Sequence, residues 1–288
     1  FQMLNKLLKY EFKSTSKTMI PLLLSTLALS ILTSVIMTIS IRNIESSIEE
    51  NALSNVLMSL FATFSIFSLF AIFASAVVLT IFLFARYYKN FFADEGYLTF
   101  TLPATTGQQL TSKFISGFVW TVLGMITIII SGIIILLFGT ATSGEVINKE
   151  LYNVIGNILS ELKDQVGTSN YILYITEIIV SFMVSCAYRL LMIYLAITLG
   201  GIIARKHKIL SAVGFYILIS FVISSLTSTV TSSMFISTFS VIDEDEIINA
   251  FISIPHRLLL FDIVLSAIFA LAAYISNYLL LKKKLNLE

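Results

Sequence analysis

The sequence predicts an all-α integral membrane protein: six transmembrane helices, an N-terminal amphipathic interfacial helix, and short helices in the connections. Three observations predict it. The 288 residues are 57% hydrophobic and only 12% charged, about half the charged fraction of a soluble domain, with a mean hydropathy of +0.93. Apolar runs of about 20 residues recur, each long enough to cross a hydrocarbon core about 30 Å thick. The basic residues gather in alternate connections between those runs. The first observation excludes a water-soluble fold. The second requires helices, because lipid offers backbone groups no hydrogen-bond partner. A single cysteine, Cys186, excludes an internal disulfide framework.

Phe1 and Gln2 read as the remnant of a protease-tag linker ahead of a natural start at Met3, so the fold is reasoned from residue 3. Over 3–18, Lys6, Lys9, Lys13 and Lys17 step by three, four and four and share one helical face, with Leu4, Leu7, Leu8 and Phe12 opposite. That pattern suits an interfacial helix with its lysines near anionic lipid headgroups. The charged stretch leads into a run long enough to span, with no small-residue cleavage site after it, so a secretory signal is not expected. Glu11 falls on the apolar face. It either snorkels or meets protein there.

Six spans follow by length: 19–41, 57–85, 114–138, 172–204, 210–230 and 258–281, giving one membrane domain over 19–288. The second and fourth exceed the required length and should tilt or project. Lys6 to Lys17, Arg86, Lys89, Lys113, Arg205, Lys206, Lys208 and Lys282 to Lys284 fall on one side, against only Arg42, Lys149, Lys163 and Arg257 on the other. The positive-inside rule therefore places both ends in the cytoplasm of a cell membrane. Acidic residues such as Glu45, Glu49, Glu145, Glu161 and the run 243–246 lie outside. That run reads as a solvated turn, since no glycine-punctuated calcium loop surrounds it. In the outer connection 139–170, Ile147, Leu151, Val154, Ile158, Leu162 and Val166 recur at helical spacing and predict an amphipathic surface helix. No internal repeat is evident.

Enzyme chemistry finds no support. Neither His207 nor His256 belongs to an H-E-x-x-H pair, no G-x-S-x-G elbow occurs, and none of the 12 glycines precedes a lysine as a phosphate-binding loop requires. The chain should carry no catalytic, metal or cofactor site of its own. With a net charge of +1 and its basic residues at membrane boundaries, it is expected to contact membrane lipid and no nucleic acid. The informative cytoplasmic stretch is 86–113, where Tyr97, Leu98, Phe100 and Leu102 lie between the breakers Gly96 and Pro103, next to Asp94 and Glu95. It reads either as a short helix sealing the bundle or as one offered to a soluble partner.

Glu95-Gly96, a short apolar segment, Leu102-Pro103, small polar residues and Lys113 opening the next span together resemble the coupling segment of type V ATP-binding-cassette (ABC) exporter permeases. Leu7 to Lys13 looks like the connecting helix of the same family. The resemblance implies short coupling helices, a dimer with a second permease copy, alike or different, and docking on separate ATPase subunits that hold ATP and Mg. Glu95, Gly96, Tyr97, Leu98, Phe100, Leu102 and Pro103 would form the docking segment. Glu11 would face the ATPase or that segment, and Arg205 and Lys206 would belong to a second, smaller contact.

Within the spans, Gly117, Gly124, Gly132 and Gly139 fall within an arc of about 80° and predict a smooth seam for a neighbouring helix. Arg189 is the one basic residue well inside a span, at a cost of about 2.5–3.5 kcal/mol if it stood alone at the bilayer centre. Asp262 is an intramembrane acid, apart from boundary Glu177, and a pair with Arg189 is expected if their depths match. Phe61, Phe64, Phe67, Phe70 and Phe73 wind around the second span, and the fifth is rich in hydroxyls from Ser220 to Ser233. Lipid contact and helix packing account for both patterns. By the resemblance, the second and fifth spans line the pathway, with Phe67, Phe70, Ser224 and Ser228 as its surface, and re-entrant helices follow in 231–257. The exported substrate would be amphipathic: a peptide, a lipid or a drug. A secondary transporter or channel, or a non-transporting sensor or assembly protein, are the alternatives. A carrier would usually show inverted repeats or connected intramembrane carboxylates, which are not evident here.

Overall fold

The computed structural model describes residues 2–46, 52–93, 96, 103–140, 153, 156–157, 160, 168–204, 206–239 and 247–284. Among these, six long helices form and no strand: α1 (Gln2–Ser46), α2 (Ala52–Phe92), α3 (Thr106–Thr140), α4 (Thr168–Ile203), α5 (Lys208–Phe239) and α6 (Ile247–Lys284). All six are long and apolar enough to cross a membrane. At 1.5 Å per residue they measure roughly 48–67 Å and outrun the hydrocarbon core.

Burial explains the placement in lipid. Leu24, Phe67, Phe70, Phe73, Ile129, Ile217 and Phe221 are each more than half exposed, a degree of apolar exposure on both units that a soluble monomer does not sustain. Alongside buried apolar residues such as Met19, Leu79 and Trp120, many buried positions are small and hydroxylic: Thr15, Thr26, Ser30 and Thr33 on α1, Ser65 and Ser68 on α2, Ser116, Thr127 and Ser131 on α3. Many of these hydroxyls donate to a carbonyl one turn back. Thr26 bonds Leu23 O at 2.7 Å, Thr33 bonds Leu29 O at 2.7 Å and Ser65 bonds Phe61 O at 2.9 Å. A hydroxyl satisfied in this way acts as a small side chain and lets backbones approach. The chain is an integral membrane protein, with six spans among the described residues.

The helices divide between two compact units, one of 1–9, 83–118 and 163–288, the other of 10–82 and 119–162. In the second unit the Trp120 indole N–H donates to Thr15 Oγ1 at 2.8 Å, and the Phe12 ring lies 6.5 Å from that of Trp120. A Cβ on Gly124 would sit 2.5 Å from Leu79 Cδ1. In the first unit α4 is the central element, packed against α5 and α6. Contacts of Glu177 with His256, Ser181 with Asp262, Tyr188 with Phe269 and Thr198 with Asn277 advance together along both chains, so α4 and α6 run parallel. Leu191, Met192 and Ala273 form the apolar centre between them, with Phe114, Ile219 and Tyr274 around it.

Two expectations about boundaries change, and a third falls mostly outside the described residues. The 3–18 segment is the start of α1, continuous with the first span and containing Pro21, rather than a separate helix. Its two faces are as expected, with the four lysines exposed and Leu4, Leu7, Leu8 and Phe12 partly covered. Residues 231–239 extend α5 and 247–257 begin α6, in place of re-entrant helices. The hydroxyls there do not break the helix because they bond back to it, Thr231 to Thr227 O at 2.6 Å and Ser233 to Val230 O at 2.7 Å. Of 139–170, Asn153, Gly156, Asn157 and Ser160 are helical and exposed, and the apolar positions of the expected amphipathic helix lie outside the described residues, as does the run 243–246.

Candidate functional site

The strongest candidate lies at the end of the first unit where α2 leads into α3 through 93–105. Its lower edge is fixed by local chemistry. Thr105 caps α3: its hydroxyl accepts from Gln108 N–H at 3.3 Å while Gln108 Oε1 accepts from Thr105 N–H at 3.2 Å, a reciprocal capping box. Thr105-Thr106-Gly107-Gln108 fits that signature, so this helix start was available in the sequence. On the other side Gly96 is buried and its N–H donates to Ala93 O at 2.7 Å. A Cβ at Gly96 would stand 2.9 Å from Phe91 O, so the turn over the end of α2 closes only on glycine. Pro103 is exposed. Glu95, Tyr97, Leu98, Phe100 and Leu102 lie outside the described residues.

Behind this connection is a buried polar chain. Tyr87 OH meets Thr198 Oγ1 at 3.2 Å, the Thr198 hydroxyl reaches Asn277 Oδ1 at 2.8 Å, and Asn277 Nδ2 donates to Leu191 O at 3.2 Å. With Tyr87 donating, the bonds run one way, the one Thr198 proton being shared between Asn277 Oδ1 and Tyr194 O at 2.8 Å, and they tie α2, α4 and α6 together. The Tyr87 ring also stacks on Tyr194 at 4.0 Å between centroids, and Tyr194 OH donates to Lys113 O at 3.3 Å. Thr111 and Tyr274 join α3 to α6 through a 2.8 Å hydroxyl contact. Both helices that carry the 93–105 connection are thereby bonded to the α4 and α6 pair. Asn277 and Thr198 were not singled out from sequence; an asparagine inside the last apolar run was the available signal.

The other expected residues separate. Glu11 is 8% exposed and engaged within the chain, a buried residue of α1. Its acid sits on the apolar face because protein, not lipid alone, covers that face. Lys206 is exposed and Arg205 lies outside the described residues. The glycine seam serves two neighbours: a Cβ on Gly117 would meet Tyr194 OH at 2.6 Å, whereas Gly124 abuts Leu79. Gly132 has nothing within 4 Å, and the surroundings of Gly139 are not among those described. Sequence reasoning missed the equally close approaches at Gly200, against the Ala212 backbone, and Gly201, against the Phe92 ring. Phe67 and Phe70 are each 69% exposed, and Ser224 and Ser228 are exposed on α5, each on the surface of its own unit.

Arg189 and Asp262 do not form an ion pair. Asp262 Oδ2 accepts from Ser181 Oγ at 2.7 Å and Ser185 Oγ at 3.5 Å, and Arg189, one turn beyond Ser185, is exposed. A double-mutant cycle of Arg189→Gln with Asp262→Asn, read by thermal unfolding in mild detergent, is expected to be additive within about 0.5 kcal/mol. A larger coupling would restore the pair. Nearer the far end of α4 and α6, Glu177 Oε1 and His256 Nδ1 lie 2.8 Å apart beside the Tyr174 ring. No known protein family, curated protein or solved structure matches the chain.

Proposed function

We propose that this chain is the membrane permease subunit of an ATP-driven exporter of the type V ABC class, placed in the cell membrane with both ends cytoplasmic. Two permease copies pair, and separate ATPase subunits hold ATP and Mg. Closure of the ATPases pushes on the 93–105 connection, and the permeases release an amphipathic substrate outward. The observation that carries this reading is the mounting of that connection. The segment bearing Glu95-Gly96 and Leu102-Pro103 begins at a glycine-only turn and ends at a capping box, and both flanking helices are hydrogen-bonded into the α4 and α6 pair. A force applied to such a segment displaces helices instead of being absorbed in a loop. Supporting it, α5 is the helix least covered by its own chain and presents Ser224 and Ser228 outward, as a face meeting a second copy or a pathway would.

The test is co-purification from the native membrane. A stoichiometric Walker-motif subunit with ATPase activity is expected, and Phe100→Asp with Leu102→Asp is expected to release it while the permease still elutes as a folded species. Retention of the ATPase by the double variant would remove the docking assignment. Recovery of this chain alone under mild extraction would favour a secondary carrier, for which the exposed intramembrane carboxylate of Asp262 is the one specific observation.

A further inference from the structure

Away from the 93–105 connection, α5 and α6, with Ile178 of α4, line an open cleft of ≈ 490 Å³ in the first unit. That volume falls in the range of small-molecule sites, about 300–1,000 Å³. Ile178, Phe261 and Leu265 give it apolar walls, and Asp262, Thr227 and Thr231 supply its polar atoms. Asp262 lies six residues inside the α6 span that starts at His256, roughly 9 Å along the helix, where a carboxylate without compensation is costly.

The donors and acceptors in this cavity are one-sided. Both hydroxyls that reach Asp262 bond the same oxygen, Oδ2, which leaves Oδ1 without a partner among the described residues. Thr227 Oγ1 spends its proton on its own helix, toward Ile223 O and Ser224 O at 3.0 Å, and Thr231 Oγ1 donates to Thr227 O at 2.6 Å. The outward lone pairs of both hydroxyls remain as acceptors. Arg189 makes no ion pair with Asp262, and the adjacent Glu177 and His256 satisfy each other. The cavity thus offers one carboxylate and two hydroxyl acceptors, no free donor among those polar atoms, and apolar walls. An ammonium carries up to three donors and no acceptor, and its charge-assisted bond to a carboxylate is about twice as strong as a neutral one.

We propose that this cavity is a binding site for a drug-sized hydrophobic amine in its ammonium form, with Asp262 as counter-ion, Ser181 and Ser185 holding that carboxylate in place, and Thr227 and Thr231 as further acceptors. The site goes beyond the export reading and does not depend on it, since binding needs neither ATP nor a partner subunit.

The test uses the full chain in lipid nanodiscs and dansylcadaverine, a fluorescent hydrophobic primary amine, with its N-acetylated neutral form as control. Saturable binding of the amine is expected, at least tenfold tighter than that of the acetylated probe, a comparison that needs no variant. Asp262→Asn is expected to remove that tenfold preference while leaving the acetylated probe unchanged. Leu265→Trp, which keeps the carboxylate and fills the cavity, is expected to weaken the amine at least tenfold. Equal, non-saturating signals from the two probes would show partition into lipid and overturn the proposal. So would wild-type affinity in Leu265→Trp, or in a folded Asp262→Asn variant. Absence of a co-purifying ATPase, by contrast, would sink the export reading and leave this site standing.

Discussion

Asn277→Ala is expected to destabilise the protein by about 2–3 kcal/mol, read as a lowered unfolding temperature in mild detergent. The side chain is fully buried and takes part in two interhelical hydrogen bonds, accepting from Thr198 and donating to Leu191 O. Such bonds in membrane proteins average about 0.6 kcal/mol and reach about 1.7, and the cavity left by truncation adds to that loss. Asn277→Leu separates the two contributions, because it refills the volume without restoring either bond. If leucine matches the parent in stability, the polar chain from Tyr87 contributes nothing and only packing matters.

Gly200→Ala should cost about as much, roughly 2–3 kcal/mol, for a different reason. An added Cβ would lie 2.5 Å from Ala212 N and 2.6 Å from Ala212 Cα. Backbone cannot rotate aside as a side-chain tip can, and the short turn between α4 and α5 prevents the two helices from separating. Overpacking of this kind typically costs about 1–3 kcal/mol, which outweighs the gain of about 1 kcal/mol in helix propensity. Gly132→Ala is the internal control: with nothing within 4 Å of the new methyl, only the propensity gain remains, and stability is expected to hold or rise slightly. A Gly200→Ala variant as stable as the parent would mean that the α4 and α5 contact is looser than the structure shows.

The contrast between Gly200 and Gly132 shows where sequence reading stops. Both are glycines in apolar helices, and the arc of Gly117, Gly124, Gly132 and Gly139 is a genuine pattern in the sequence, yet Gly117 and Gly124 meet different neighbours and Gly132 meets none. Helical periodicity specifies which residues share a face; it does not specify what lies opposite. Arg189 and Asp262 illustrate the same limit. Two opposite charges in apolar runs suggest a pair by elimination, whereas the registry of α4 against α6 offers Asp262 the hydroxyls of Ser181 and Ser185 first. Glu11 looked like an acid stranded in an interface until burial accounted for it.

By itself the sequence determined the six spans, the membrane as solvent and the two faces of the first lysine-bearing turns, because these follow from how many consecutive residues lipid will accept and which side chains it rejects. Tertiary structure alone decided the polar chain through Tyr87, Thr198 and Asn277, the glycines that sit against neighbouring atoms, and the one-sided acceptor set around Asp262. The physical reason is that hydropathy is a property of each residue and sums along the chain. A hydrogen bond or a close approach belongs instead to a pair of residues, some 80 to 110 positions apart for the bonds of Tyr87, Thr198, Asn277 and Asp262, and exists only once packing has set the register of one helix against another.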